Sequence, residues 1–290
     1  MRKVRLRAFA KVNFALDVLG LRVDGYHDIA TVMQSISLSD EVEIEHIADG
    51  FEFTFEPEGA QLGPPERNSA YVAWKSLQRL TGVALPARVR LRKRIPVGAG
   101  LGGGSADAAA VLVGLNELFG LGLQADELRE VAASVGADVP FCISGGTALG
   151  EGVGEIVTPL PEPPAHHLVL GKPARSADTS EVYRAYDATK ARSARSVELV
   201  TLALRSGVIS DLASALGNDL TAVTAGFVPE VTALKQELLA SGALGASMSG
   251  SGTAVFGIFN DGVVAGIAGD TFTTSFAGLY APVPHGVEID

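Results

Sequence analysis

The chain opens on a strict two-residue alternation. Val4, Leu6 and Ala8 fall on one face and Arg5 and Arg7 on the other, the pattern of a half-buried strand. The same period returns in Val42 and Ile44 against Glu41, Glu43 and Glu45, and in Phe51, Phe53 and Phe55 against Glu52 and Thr54. It returns again in Val89, Leu91 and Ile95 against Arg88, Arg90, Arg92 and Arg94. Helical spacing lies between and beyond these runs. Asn68 or Ser69 is placed to cap a helix whose buried face is Ala70, Ala73, Trp74 and Leu77. Val111, Leu112, Leu115, Leu118 and Phe119 mark a second helix, and Leu128, Val131, Ala132 and Val135 a third that stops at Gly136. Thr158-Pro159-Leu160-Pro161-Glu162-Pro163-Pro164 holds four prolines in seven residues and reads as a boundary between regions 1–158 and 165–290. Past it the pattern predicts a strand at His167–Leu170, helices around Ser196–Arg205 and Pro229–Leu239, and strands around Thr253–Phe259 and Val283–Ile289. The sum is an α+β protein, and 290 residues suit two domains.

Composition narrows the classes. With 47% hydrophobic and 19% charged residues the chain can bury a sizeable core. The single Cys142 excludes an internal disulfide and fits a reducing cytoplasm. Arg5, Arg7, Lys11, Asn13 and Asp17 leave no apolar stretch for a secretory signal near the start. Leu238 to Asn260 is uncharged and long enough to span a bilayer, but six Gly and Ser residues between Gly245 and Gly252 make it a turn-rich loop before a strand. A net charge of −10 argues against nucleic acid or an anionic membrane as partner.

The segment Pro96-Val97-Gly98-Ala99-Gly100-Leu101-Gly102-Gly103-Gly104-Ser105-Ala106-Asp107 has five glycines in seven residues, between a strand pattern and a helix pattern. Glycines permit left-handed backbone and close approach, and the first N–H groups of the helix point at whatever binds. This is an anion cradle suited to a phosphate chain; the bland alternative is a flexible turn. No Lys follows Gly104, so it is not a Walker A loop, and a near-fit to GxGxxG alone carries little weight. A phosphate chain on an acidic protein needs local positive potential. Lys11, Lys93, Arg94, the helix start near Ser105 and a divalent cation are the available sources.

Asp138, in Gly136-Ala137-Asp138-Val139-Pro140-Phe141, is the best candidate base for an attacking hydroxyl, and Lys11, alone in an apolar strand, is its natural counter-charge. The competing readings are a helix-terminal turn residue and a snorkelling lysine. Asp24-Gly25 marks a turn, after which Tyr26 and His27 can stack on and hydrogen-bond a ring, unless Tyr26 merely packs. Met248-Ser249-Gly250-Ser251-Gly252-Thr253 either touches a phosphate or simply turns into a strand. No His, Cys or carboxylate spacing indicates a zinc site.

The pattern Pro-x-x-x-Gly-Leu-Gly-Gly-Gly-Ser-Ala over 96–106 resembles the ATP-binding motif of the GHMP kinases. The resemblance extends over the chain. It includes Ala10-Lys11-Val12-Asn13, Arg22-Val23-Asp24-Gly25-Tyr26-His27, Lys93-Arg94-Ile95-Pro96, Gly136-Ala137-Asp138-Val139-Pro140 and Gly150-Glu151-Gly152-Val153-Gly154-Glu155, and later Asn218-Asp219-Leu220 and Ser249-Gly250-Ser251-Gly252. It implies a ribosomal-protein-S5-like N-terminal domain and a ferredoxin-like C-terminal domain with the substrates between them. It implies ATP as phosphoryl donor, Mg²⁺ with no motif that fixes its ligands, and a cytidine-diphosphate-linked polyol as acceptor in isoprenoid precursor synthesis. By position it makes Asp138 the base with Lys11 beside it. Pro96, Gly98, Gly100, Leu101, Gly102, Gly103, Gly104, Ser105 and Ala106 then hold ATP phosphates, with Asn68 and Lys93 near the adenosine. Asn13, Tyr26 and His27 bind the acceptor, and Tyr183, where some members have Phe, covers the other face of the cytosine. The resemblance further implies small-molecule partners only, a monomer or weak homodimer, and a cytoplasmic enzyme. A family member of the homoserine or mevalonate type shares the loop but lacks Asp24-Gly25-Tyr26-His27. A non-catalytic binding module of the same fold would lack Asp138 or Lys11, and both are present.

Overall fold

The computed structural model describes residues 2–56, 65–189, 193–272 and 274–290. Two sheets organise them. The first half of the chain supplies strands β1 (Lys3–Leu21), β2 (His27–His46) and β3 (Phe51–Glu56), helix α1 (Ser69–Thr81), strand β4 (Ala87–Arg92) and helices α2 (Gly103–Phe119), α3 (Ala125–Ala133) and α4 (Val139–Ser144), then strands β5 (Thr147–Glu151) and β6 (Ile156–Pro159). The second half supplies β7 (His167–Lys172), α5 (Thr179–Thr189), α6 (Ser196–Ser206), α7 (Ile209–Ala215), β8 (Gly217–Asn218), α8 (Thr221–Phe227), α9 (Glu230–Ala240), β9 (Gly245–Met248), β10 (Val255–Phe259), α10 (Gly262–Thr271), β11 (Phe276–Tyr280) and β12 (Val287–Ile289).

The first sheet runs β12-β1-β2-β4-β3, with β5 and β6 added beside β2 and β8 beside β1. The alternating segments take the faces their spacing predicts: Leu6, Ala8, Val42, Ile44, Val89 and Leu91 are buried, while the interleaved charges pair across strands, as in Arg5 and Arg90 with Glu43. Middle β1 departs from alternation because both of its faces are covered, and every residue from Ala8 to Val18 is buried. Helix α2 lies against one face. It is buried nearly all round, with Ala108, Ala109 and Ala110 small enough for close approach. Register shifts in the β1–β2 ladder between Phe9 and Lys11 and between Asn13 and Ala15 mark irregularities that re-aim side chains at that point.

The second sheet, all antiparallel, has the order β11-β7-β10-β9. With α9 and α10 it makes a β-α-β-β-α-β unit, the ferredoxin-like arrangement the resemblance implies. The proline run leads from one sheet to the other, yet later segments return. β8 and β12 both pair with β1, and α6 packs on β1 with its first N–H groups received by Asp17, Ser196 N at 2.9 Å and Val197 N at 3.1 Å. The strand read at 283–289 is the short β12, and it joins the first sheet rather than the second. No helix among the described residues is long and apolar enough to cross a membrane; Leu238–Asn260 forms the end of α9 and the β9–β10 hairpin.

Candidate active site

The glycine loop joins β4 to α2. Gly98, Gly100 and Gly102 have φ of 63°, 76° and 69°, a region L side chains rarely adopt. Gly100 is also pressed on the backbone of the second half: a Cβ there would stand 2.1 Å from the Ser249 carbonyl oxygen. The loop is tied to β1 by Lys11 N donating to Leu101 O at 3.0 Å, and to the β9–β10 hairpin by Ala254 N donating to Ala99 O at 3.0 Å. Leu101 and Ala106 are core residues, so they anchor the loop from beneath. Helix α2 has no side-chain cap, which leaves its first N–H groups available to an anion.

Two cavities meet at this loop and share Gly98, Gly100 and Gly102 in their walls. The smaller, about 340 Å³, is lined by Asn68, Lys93, Pro96 and Gly98 to Ser105. Asn68 caps α1 by accepting from Ala70 N at 2.9 Å. Lys93 is the centre of a buried ionic cluster: Nζ donates to Asp107 at 2.5 Å and also to Asp40, which itself accepts from Arg94 N and Ile95 N at the entry to the loop. Burial works against the Lys93 charge, but Asp107 and Asp40 more than offset it and hold the ammonium above its usual range. Burial likewise pushes the Asp107 carboxyl up to about 7 against the pull of Lys93, and its Oδ1 has no hydrogen-bond partner. The sequence reading gave Asp40 and Asp107 no role. Asp40 carried a signal, since it falls in step with Leu38, Val42 and Ile44 and so puts a carboxylate on the buried face of β2, whereas Asp107 sits in an alanine-rich helix with nothing local to mark it.

The larger cavity, about 1170 Å³, has both Lys11 and Asp138 in its wall. Lys11 is 4% exposed at its side chain, and its Nζ lies 3.2 Å from Asp138 Oδ2. It donates to Asn13 Oδ1 at 2.7 Å, and Asn13 Nδ2 donates to Thr31 Oγ1 at 2.7 Å. Asp138 stands at the start of α4, where Pro140 fits the first turn, and a Cβ added at Gly154 would stand 3.7 Å from its Oδ1. Burial beside Asp138 raises the Cys142 thiol far above its ordinary range, so that residue is an inert core group. The Ser249–Gly252 turn closes the cavity from the second half. Ser249 Oγ accepts from Asn13 N at 3.2 Å and donates to Gly100 O at 2.9 Å. Asn218 holds the turn from behind by donating to Met248 O at 2.9 Å and Gly250 O at 2.8 Å. That gives Asn218 a positioning place which its motif alone did not reveal.

At the far end stand Tyr26, His27 and Tyr183. Tyr26 is 66% exposed, beside the tip of the β1–β2 hairpin. His27 and Tyr183 stack directly, with centroids 4.7 Å apart and planes 29° apart. That stack occupies one face of the Tyr183 ring, and Tyr26, His27 and Tyr183 all line the larger cavity. The expected sources of positive potential are also altered. Lys11 is paired with Asp138, Lys93 with two carboxylates and Arg94 with Glu41. Of the protein sources expected from the sequence, the one not paired with a carboxylate is the N-terminus of the 17-residue α2.

A glycine loop feeding an uncapped helix, with a lysine–aspartate pair across the cleft, describes a small-molecule kinase. The chain belongs to the GHMP kinase family: residues 68–146 match the GHMP kinases N terminal domain and 201–273 the GHMP kinases C terminal domain. Within that family it is 46% identical to the 4-diphosphocytidyl-2-C-methyl-D-erythritol kinase of Pelotomaculum thermopropionicum, over 88% of each chain. It also superposes on the crystal structure of 4-(cytidine 5'-diphospho)-2C-methyl-D-erythritol kinase with a TM-score of 0.79 at 34% identity, covering 96% of this chain and 99% of that one. A homoserine kinase from Cytophaga hutchinsonii superposes as well, TM-score 0.80, over 100% of this chain and 98% of that one, but at 18% identity that likeness concerns the fold alone.

Proposed function

We propose that this chain transfers the γ-phosphoryl group of ATP to the 2-hydroxyl of 4-diphosphocytidyl-2-C-methyl-D-erythritol, giving the 2-phosphate and ADP. The observation that carries the chemistry is the Lys11–Asp138 pair, 3.2 Å apart in a cavity whose wall is the glycine loop. The nucleotide lies with its phosphates on the loop and its base toward Asn68 in the smaller cavity. The acceptor lies in the larger one. Asp138 takes the proton of the 2-hydroxyl as its oxygen bonds to the γ-phosphorus and the bond to the β,γ-bridging oxygen breaks. Lys11 balances the Asp138 charge before transfer and the phosphoryl charge during it. Asn13 fixes the Lys11 ammonium.

Mg²⁺ arrives with ATP in this reading. Among the described residues no group of three or more His, Cys, Asp or Glu is placed to hold an ion. In this reading ATP oxygens and water supply most ligands, as Mg²⁺ commonly prefers, and the hard oxygens this chain would offer in the smaller cavity include the Ser105 hydroxyl and the unpartnered Asp107 Oδ1. When bound, the ion neutralises phosphate charge. The same reading places the enzyme in the cytoplasm as a monomer or weak homodimer.

The test is an assay of ADP release with the cytidine substrate, with homoserine and mevalonate as controls. Turnover only with the cytidine substrate is the expected result. Turnover with homoserine or mevalonate instead transfers the chain to another branch of the family, and no turnover with any of them defeats the kinase reading.

A further inference from the structure

His27 opens β2, while Tyr183 and Asp187 lie one turn apart on α5. Spacing of four puts both side chains on one helix face. They hold the imidazole from two directions: Tyr183 stacks on it, and Asp187 Oδ1 lies 2.8 Å from Nε2. The His27 side chain is 8% exposed and that of Asp187 is 40%. All three, with Tyr26, line the larger cavity.

An ionised carboxylate only accepts hydrogen bonds. The neutral ring therefore carries its proton on Nε2, donated to Asp187, and Nδ1 is left as an acceptor. An accepting nitrogen distinguishes pyrimidines. Cytosine presents an exocyclic amine at position 4, a donor, where uracil presents a carbonyl oxygen, an acceptor. Resting on the reading that this cavity takes a cytidine diphosphate group, we propose that Asp187 is a positioning residue that fixes the His27 tautomer and so makes the site select cytosine over uracil. Without the carboxylate either nitrogen can hold the proton, and the form with Nδ1–H pairs with the uracil carbonyl.

Two measurements on the full chain test this. Nitrogen-15 histidine NMR, with the His27 signals assigned through His27→Gln, is expected to show Nε2–H and a bare Nδ1 in the wild type and a mixture of tautomers in Asp187→Ala. Steady-state kinetics with the cytidine substrate and its uridine analogue give the second readout. In Asp187→Ala the kcat/KM ratio is expected to fall about tenfold, chiefly through KM. Asp187→Asn offers an amide that can accept from Nε2–H or donate to a bare Nε2, so its ratio is expected to fall between those of wild type and Asp187→Ala. A wild-type ring protonated on Nδ1, or on both nitrogens, overturns the proposal. So does an Asp187→Ala variant that loses activity equally on both substrates, since a mere clamp between the hairpin and α5 behaves that way. A wild-type chain that turns over neither nucleotide-linked substrate overturns the functional reading and the selectivity together, whereas turnover with an unchanged ratio in Asp187→Ala overturns the role of Asp187 alone.

Discussion

On the proposed nucleotide side of the cleft, the side chains behind the glycine loop are sealed: Lys93 is 8% exposed and Asp107 5%, and the loop is held mainly through its backbone, with Ser249 Oγ on Gly100 O as a side-chain contact. On the acceptor side, Tyr26 stands two-thirds exposed at a hairpin, and its neighbours Tyr183 and Asp187 come from a helix of the other half of the chain. The first region is a backbone device fastened to the core. The second is a set of side chains on the ends of elements. Backbone hydrogen bonds read a phosphate chain but not the molecule attached to it, so the first region does not distinguish one acceptor from another. In the proposed function, specificity for an acceptor belongs to the second, where a side chain can change without disturbing a core.

The sharpest way to break this contrast is at the junction, where both substrates meet. Asp138→Asn is expected to lower kcat by ~10²–10⁴ while ATP affinity changes little, because the loop and the α2 N-terminus are untouched. Lys11→Met lowers kcat as well, and the double variant is little worse than the poorer single one, since the pair acts as a unit. Rapid-quench kinetics with nucleotide titration measures both. An Asp138→Asn enzyme near wild-type rate across the pH range returns Asp138 to a turn residue.

Next in size is the backbone of the nucleotide side. Gly100→Ala puts a methyl against Ser249 O in a left-handed conformation and is expected to cost about 1–3 kcal/mol of stability along with ATP binding. Gly104 differs from its neighbour loop glycines, because a Cβ there meets nothing nearer than Ser69 Oγ at 3.6 Å. Gly104→Ala is therefore expected to keep its melting temperature and lose nucleotide affinity only through crowding of the ligand. Equal melting curves for the two variants contradict the account of the loop.

On the acceptor side, Tyr26→Ala is expected to raise KM for the cytidine substrate by the equivalent of ~1–3 kcal/mol, with KM for ATP and the fold unchanged. Smaller still is a pH effect confined to the nucleotide side. The folded Asp107 carboxyl, raised to about 7 from an ordinary 3.8, holds its proton where the unfolded chain has lost it. Its contribution is fully present below about pH 4 and is lost as pH rises through about 7, so it tilts stability downward across that window. Asp107→Asn is expected to flatten the tilt in urea titrations between pH 4 and 7. An identical profile in the variant would place the tilt elsewhere.

Much of this was legible in the sequence, and the legible parts share a cause. The phosphate loop was readable because left-handed backbone demands glycine, whatever surrounds it. The outer strands were readable because one face is wet, and Tyr26-His27 because a turn dipeptide precedes them. α4, α5, α7, α8, α10, β5, β6, β8, β9 and β11 were missed. Helix α10 is apolar nearly all round and contains two further glycines after its first residue, so it carries no one-sided stripe. β5 and β6 are short strands bounded by the same glycines that suggest a loop.

The sequence by itself determined the class of chemistry: an anion cradle, a carboxylate beside an apolar helix and a lysine where a strand should be apolar. Those are demands of local conformation and desolvation, which the residue types state wherever they occur. Only the tertiary structure decided that Lys93 is spent on Asp40 and Asp107, which lie 53 and 14 residues away along the chain. The same holds for Asp187 reaching His27 across 160 residues, and for β12 returning to the first sheet. These pairings depend on which faces the sheets bring together. No local pattern encodes that, because the partners were selected for each other across space and not along the sequence.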